Sequence, residues 1–135
     1  MVLVLILSST PASAQFVSLV GGPPPVQDFN TLAASGSSST LPNGWYLAET
    51  DDNANSEYRA GDGSSNTGDT YSFGAGTDSE RAFGTLQSSS LVSRIGAQLR
   101  NDGGLAITEI TVNYTGEQWR LGATGRADTL KFEYS

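Results

Sequence analysis

A chain of 135 residues carrying a formal net charge of −7 and only seven basic residues is at most one domain. It lacks the clustered Lys and Arg that neutralise nucleic-acid phosphates. With no Cys and no His, it excludes a disulfide framework, a thiolate metal site, a Ser-His-Asp triad and an HExxH zinc centre.

The chain opens on an apolar run, Val2 to Leu7, followed by Ser8-Ser-Thr-Pro11 and then Ala12-Ser13-Ala14. An apolar stretch ending in small residues of A-x-A type predicts a signal peptide over residues 1–14 and therefore export. No basic residue precedes the run, so either the true start lies upstream of Met1 or the signal is atypical; the other reading is a buried first strand. The run is too short to span a bilayer, which takes about 20 apolar residues. Residues 15–25 form a linker, in which Val17 to Val20 can make a short strand before Gly21-Gly-Pro-Pro-Pro25 stops any ladder.

A β module is expected over residues 26–135. Val26 to Leu32 can form its first strand, with Phe29 as core anchor, and a Ser/Gly loop follows. Leu41-Pro-Asn-Gly44 is a turn, because Pro presets φ and Asn-Gly accepts left-handed angles. It delivers the aromatic strand Trp45 to Glu49, with Trp45 and Leu47 on one face. Two polar loops, Asp51 to Asn55 and Gly61 to Asp69, bracket Glu57 to Ala60. Strands are then expected at Thr70 to Gly74, Arg81 to Leu86 and Leu91 to Asn101, the last with Leu91, Ile95, Ala97 and Leu99 facing inward.

The strongest patterning comes last. Ile110, Val112 and Tyr114 alternate with Thr111 and Asn113, and Leu130, Phe132 and Tyr134 alternate with Lys131 and Glu133. A period of two marks half-buried strands, so Leu105 to Arg126 is expected to organise the fold. Many short strands between Gly/Asn/Asp turns predict an all-β, antiparallel β-sandwich.

The ordered motifs Asp28-Phe-Asn-Thr-Leu32, Leu41-Pro-Asn-Gly-Trp45, Gly61-Asp-Gly-Ser-Ser65, Gly68 to Gly74, Glu80-Arg-Ala-Phe-Gly84, Tyr114 to Arg120 and Leu130 to Ser135 carry a resemblance. From about Gln27 onward the chain resembles the jelly-roll-like module of bacterial secreted and surface proteins. Such proteins often have PEP-CTERM or type IX sorting tails, or an extracellular endonuclease/phosphatase or lamin-tail domain. The resemblance implies a jelly-roll sandwich that is incomplete at its C-terminal side, with further strands and a covalently linked domain downstream. It carries no activity onto named residues.

The candidate ligand-binding residues are Trp119, Arg120, Glu117, Gln118 and Trp45. An indole flanked by charged groups can stack on a pyranose ring and bond its hydroxyls; the other reading packs Trp119 in the core and pairs Arg120 with Glu117 or Asp128. Asp51, Asn53 and Asn55 place oxygen ligands at alternate positions, as Ca²⁺ loops do. Ser56, however, stands where such loops have Gly, and a solvated turn gives the same pattern. Asp62 and Asp69 bracket a loop that could likewise hold a cation or be only a turn. No pair of carboxylates is placed by a short motif as a glycosidase requires. The expectation is a secreted or surface-anchored accessory module without catalysis of its own, needing no cofactor beyond a Ca²⁺ ion, with adhesion or recognition of an extracellular polysaccharide or surface glycan as its work. The alternatives are a structural spacer and the front of a secreted nuclease or hydrolase whose active residues lie beyond Ser135.

Overall fold

Alternation of apolar and polar residues in Trp45-Tyr-Leu-Ala-Glu-Thr50 makes one face of a strand half-buried and the other exposed, and the computed structural model shows that strand intact. The structure describes residues 15–135 apart from Pro24, Arg126 and Asp128, so the expected signal peptide lies outside the described residues. Among the described residues eight strands follow in chain order: β1 (Val17–Leu19), β2 (Ser37–Ser38), β3 (Trp45–Thr50), β4 (Tyr58–Gly61), β5 (Asp69–Phe73), β6 (Ala82–Leu86), β7 (Val92–Ala97) and β8 (Leu99–Asn101). They form an all-β domain of three sheets, a four-stranded one in the order β2-β4-β5-β6 and the pairs β3-β7 and β1-β8.

Pairing is mixed rather than purely antiparallel. The β2–β4, β3–β7 and β5–β6 ladders are antiparallel, whereas β4–β5 and β1–β8 are parallel. A parallel pair needs a crossover, since a tight hairpin can only reverse the chain; the Asp62–Gly68 loop supplies it between β4 and β5.

The core lies between the β3–β7 pair and the inner face of the larger sheet. Leu32, Tyr58 and Phe83 are buried there, with Phe29, Leu41, Trp45, Leu47 and Ile95 packed against them. Tyr58 contributes more than area, because its hydroxyl accepts from the Ala33 amide and donates to the Thr40 carbonyl, both at 3.0 Å. At the far end the two layers meet through polar atoms. Glu49 Oε1 accepts from Thr70 Oγ1 at 2.7 Å, and Thr70 Oγ1 also bonds Ser93 Oγ at 2.5 Å. Buried groups of this kind are tolerable only because each has a partner.

Several expectations are corrected. Val26 to Leu32 is not a strand: Phe29 adopts φ 60° at a turn, yet its ring still anchors the core against Trp45 at 4.6 Å between centroids. Ala97 and Leu99 are exposed rather than inward, because β7 ends at Ala97 and the chain leaves its sheet to pair with β1. Most consequentially, the residues expected to organise the fold contribute no strand. Among the described residues no strand includes a residue after Asn101, and Ile110, Val112, Tyr114, Leu130, Phe132 and Tyr134 are all exposed. Alternation makes a segment competent to pair but supplies no partner.

Candidate functional site

The pleat of β5 sends Thr70 and Ser72 to the inner face, and Asp69, Tyr71 and Phe73 to the outer one. Thr70 meets Ser93 there, and Arg81 donates from Nε to Ser72 Oγ at 2.8 Å. On the outer face Gly61 and Gly84 leave room for flat rings. A Cβ at Gly61 would meet the Tyr71 ring at 2.9 Å, and one at Gly84 would meet the Phe73 ring at 3.0 Å. The outer face of β5 therefore presents a carboxylate at one end and an aromatic stack toward the other.

At the carboxylate end is a pocket of about 250 Å³ lined by Ser37, Asn55, Ser56, Glu57, Tyr58, Arg59 and Asp69. Asp69 is buried and Arg59 Nε lies 3.6 Å from its Oδ2. Its Oδ1 accepts from the Thr70 amide at 2.9 Å. That same amide also points at Glu49 Oε1, 3.0 Å away, so the two carboxylates share one donor. Burial pushes the Asp69 carboxyl above the usual carboxylate range, opposed first by the Thr70 amide, reinforced by the nearby Glu49 charge, and opposed again by Arg59 and the Asn55 side chain.

At the aromatic end Tyr71 stacks on Phe73 with centroids 5.0 Å apart, and Phe73 stacks on Trp119 at 6.0 Å with the planes 9° apart. Trp119 is half-buried, and its Nε1 donates to Glu117 Oε2 at 2.9 Å. Its neighbour Arg120 donates from one guanidinium nitrogen to the Ser65 carbonyl at 2.7 Å and to that of Ser64 at 3.4 Å. Gly63, with φ 83°, lets the loop pass under the Trp119 backbone, since a Cβ there would collide with the Trp119 carbonyl. Between the two ends, Tyr71 donates its hydroxyl proton to the Thr67 carbonyl at 2.8 Å and so pins the Asp62–Gly68 loop over itself.

The expected site residues are thus partly gathered and partly scattered. Asn55 and Asp69, which the sequence places on two separate loops, come together in the pocket. Trp119, Arg120 and Glu117 form one cluster, with Gln118 exposed beside it. Arg120 bonds carbonyls rather than Glu117. Trp45 is no part of this face; its ring packs edge-on against Phe29 in the core, because β3 turns its odd-numbered side chains inward.

Of the expected Ca²⁺ ligands only Asn55 and Asp69 are seen to meet, and Asn55 and Asp62 are engaged by their own loops. Asp51 and Asn53 sit exposed in a turn at whose start Asp51 has φ 77°. Asn55 Oδ1 accepts from the Glu57 amide at 2.7 Å. Asp62 Oδ1 accepts from the Ser64 hydroxyl at 2.5 Å and the Ser64 amide at 3.0 Å, which holds its carboxyl below the usual range. Among the described residues no three His, Cys, Asp or Glu side chains converge so as to hold a metal ion. Carboxylates satisfied by their own loop backbone act as turn formers.

The residues that sequence reasoning missed are Arg59, Ser37 and Ser56. Arg59 sits directly after the core residue Tyr58, and strand alternation alone indicates that it faces the other way. Ser37 and Ser56 give no such signal. Comparisons with protein-family models, with curated proteins and with solved structures returned no match.

Proposed function

We propose that this chain is a non-catalytic recognition module, exported or held at a cell surface, and that its ligand is carbohydrate. The two packed layers are read as part of a jelly-roll-like sandwich serving a larger extracellular protein. One observation carries the reading: a polar pocket and a half-exposed tryptophan lie on the same face of β5. Asp69 and Asn55 offer acceptors, Arg59, Ser37 and Ser56 offer donors, and about 250 Å³ accommodates one sugar ring. Hydroxyl-rich ligands suit such a lining, because each ligand hydroxyl both donates and accepts. The span from Asp69 to Phe73 is about 13 Å at strand rise, with the loop pinned over Tyr71 between them.

Catalysis is not part of the proposal. Glu49 is held between the layers by Thr70 and caps the Asn55 amide with its other oxygen at 3.0 Å. It does not face Asp69 across an open cleft as an acid–base pair would.

The test is calorimetric titration of the folded chain with a panel of neutral and acidic oligosaccharides, repeated on Asp69→Asn and Trp119→Ala. Binding by the wild type that falls at least about tenfold in Asp69→Asn supports the pocket as the anchor. A cooperatively melting chain that binds no member of the panel overturns the reading in favour of a structural spacer. In that case Trp119 and Arg120 serve only to hold the segment after Asp102 against the Asp62–Gly68 loop.

A further inference from the structure

The last seven residues, Thr129-Leu-Lys-Phe-Glu-Tyr-Ser135, are all exposed and belong to no strand. Leu130, Phe132 and Tyr134 expose 72%, 66% and 95% of their surface. Three large apolar side chains at alternate positions fall on one face once the segment extends as a strand, and such a segment is a template for strand addition.

The order of residues in that segment specifies what pairs with it. Read outward from Phe132, the sequence is symmetric in chemical character and antisymmetric in charge. An antiparallel pairing of two copies centred on Phe132 sets Phe132 opposite Phe132, Lys131 opposite Glu133, Leu130 opposite Tyr134 and Thr129 opposite Ser135. Each of these is a favourable cross-strand pair: aromatic with aromatic, opposite charges, aliphatic with aromatic, and hydroxyl with hydroxyl. The two-fold axis makes every pair outside the centre occur twice.

Neighbouring registers fail on the same criteria. Centring on Lys131 or on Glu133 sets like charges directly opposite each other, and so does a parallel in-register pairing. A slip by one residue brings Lys131 opposite Phe132 and moves each apolar edge to the other face.

We infer that residues 129–135 form an isologous antiparallel strand pair with the same segment of a second copy of this chain. Ile110, Val112, Tyr114 and Leu121 are exposed in the same unpaired stretch. An isolated strand pair is marginal by itself, so association is concentration-dependent.

Sedimentation equilibrium of the full chain over a wide concentration range tests this, with charge reversals that report register. Wild type is expected to dimerise. Lys131→Glu and Glu133→Lys each set two like-charge pairs across the axis and should weaken dimerisation about tenfold or more. Mixing the two single variants restores complementarity in the heterodimer alone, so the mixture should associate although neither component does. The double reversal should dimerise like the wild type. All substituted positions are exposed, so an unchanged thermal melt shows that the fold is intact. A wild-type chain that stays monomeric to about 1 mM, single variants that dimerise as the wild type does, or a mixture that fails to associate each overturns the inference. A monomeric wild type would leave the segment to some other partner.

Discussion

Residues 37–101 and residues 105–135 share the same grammar of alternating side chains but meet opposite fates. In Trp45–Thr50, alternation is matched by β7 residue for residue, Trp45 opposite Ala97 through Thr50 opposite Val92. In Ile110 to Tyr114 and Leu130 to Tyr134 the alternation is at least as regular, and no strand forms there. The difference lies in the neighbours. Leu47 finds Ile95 beside it in the ladder and packs against the core that holds Tyr58 and Phe83, while Phe132 finds solvent. A strand is stabilised by its ladder and by what its buried face touches, so the pattern is necessary and insufficient. Among the described residues the tail is tied to the body where Asn101 Nδ2 donates to the Leu105 carbonyl and, further along, where Trp119 rests on Phe73 and Arg120 bonds two loop carbonyls.

The largest expected effect comes from deleting a ring on each side of this contrast. Tyr58→Ala removes a buried side chain and two hydrogen bonds and should cost about 3–5 kcal/mol in chemical denaturation. Phe132→Ala, measured at a concentration where the chain is monomeric, should stay within about 0.5 kcal/mol. Comparable losses at both positions would show that the tail belongs to the core.

A smaller effect targets the tie at Trp119. Gly63→Ala places a Cβ against the Trp119 carbonyl at a position with φ 83°, and backbone strain there costs about 1–2 kcal/mol. Trp119 should lift off Phe73, which a red shift of tryptophan emission would report, while Trp45 stays in the core. An unchanged emission spectrum would mean that the loop yields rather than the tail.

The smallest effect distinguishes the pocket from both regions. Because Asp69 carries a raised carboxyl pKa in the fold, its contribution favours the folded state when protonated and is lost as pH rises through the folded value. The unfolded carboxyl titrates lower, near 3.8, so the loss accrues from there upward. Asp102 behaves oppositely. Its Oδ2 accepts from Ser18 Oγ at 2.5 Å and its Oδ1 from Arg100 at 2.7 Å, which lowers its pKa. Its support for the β1–β8 contact is therefore present above about pH 3.8 and lost as pH falls through the lower folded value. Asp69→Asn should flatten the rise of melting temperature on going from neutral pH down toward pH 4, without moving the acid limb. A pH–stability profile identical to wild type would place the shift elsewhere.

The body was legible in the sequence wherever a local rule acts. The Pro42-Asn-Gly44 turn closes with the Trp45 amide on the Pro42 carbonyl at 3.0 Å. The β3 face alternates as read, and Phe29 anchors the core although no strand carries it. The pocket was half legible: Asn55 and Asp69 stand out as polar loop residues, but nothing local says that they meet.

What the sequence by itself determined is the class of structure: short strands, polar turns, the apolar faces and the absence of imidazole and thiol chemistry. These follow from side-chain chemistry and near-neighbour geometry, which need no knowledge of distant residues. Only the tertiary structure decided which faces are covered, that β4 and β5 run parallel, that Trp45 is core while Trp119 is surface, and that Asp69 is buried beside Arg59. Those outcomes depend on contacts between residues far apart in the chain, where several arrangements satisfy the same local pattern and packing selects one.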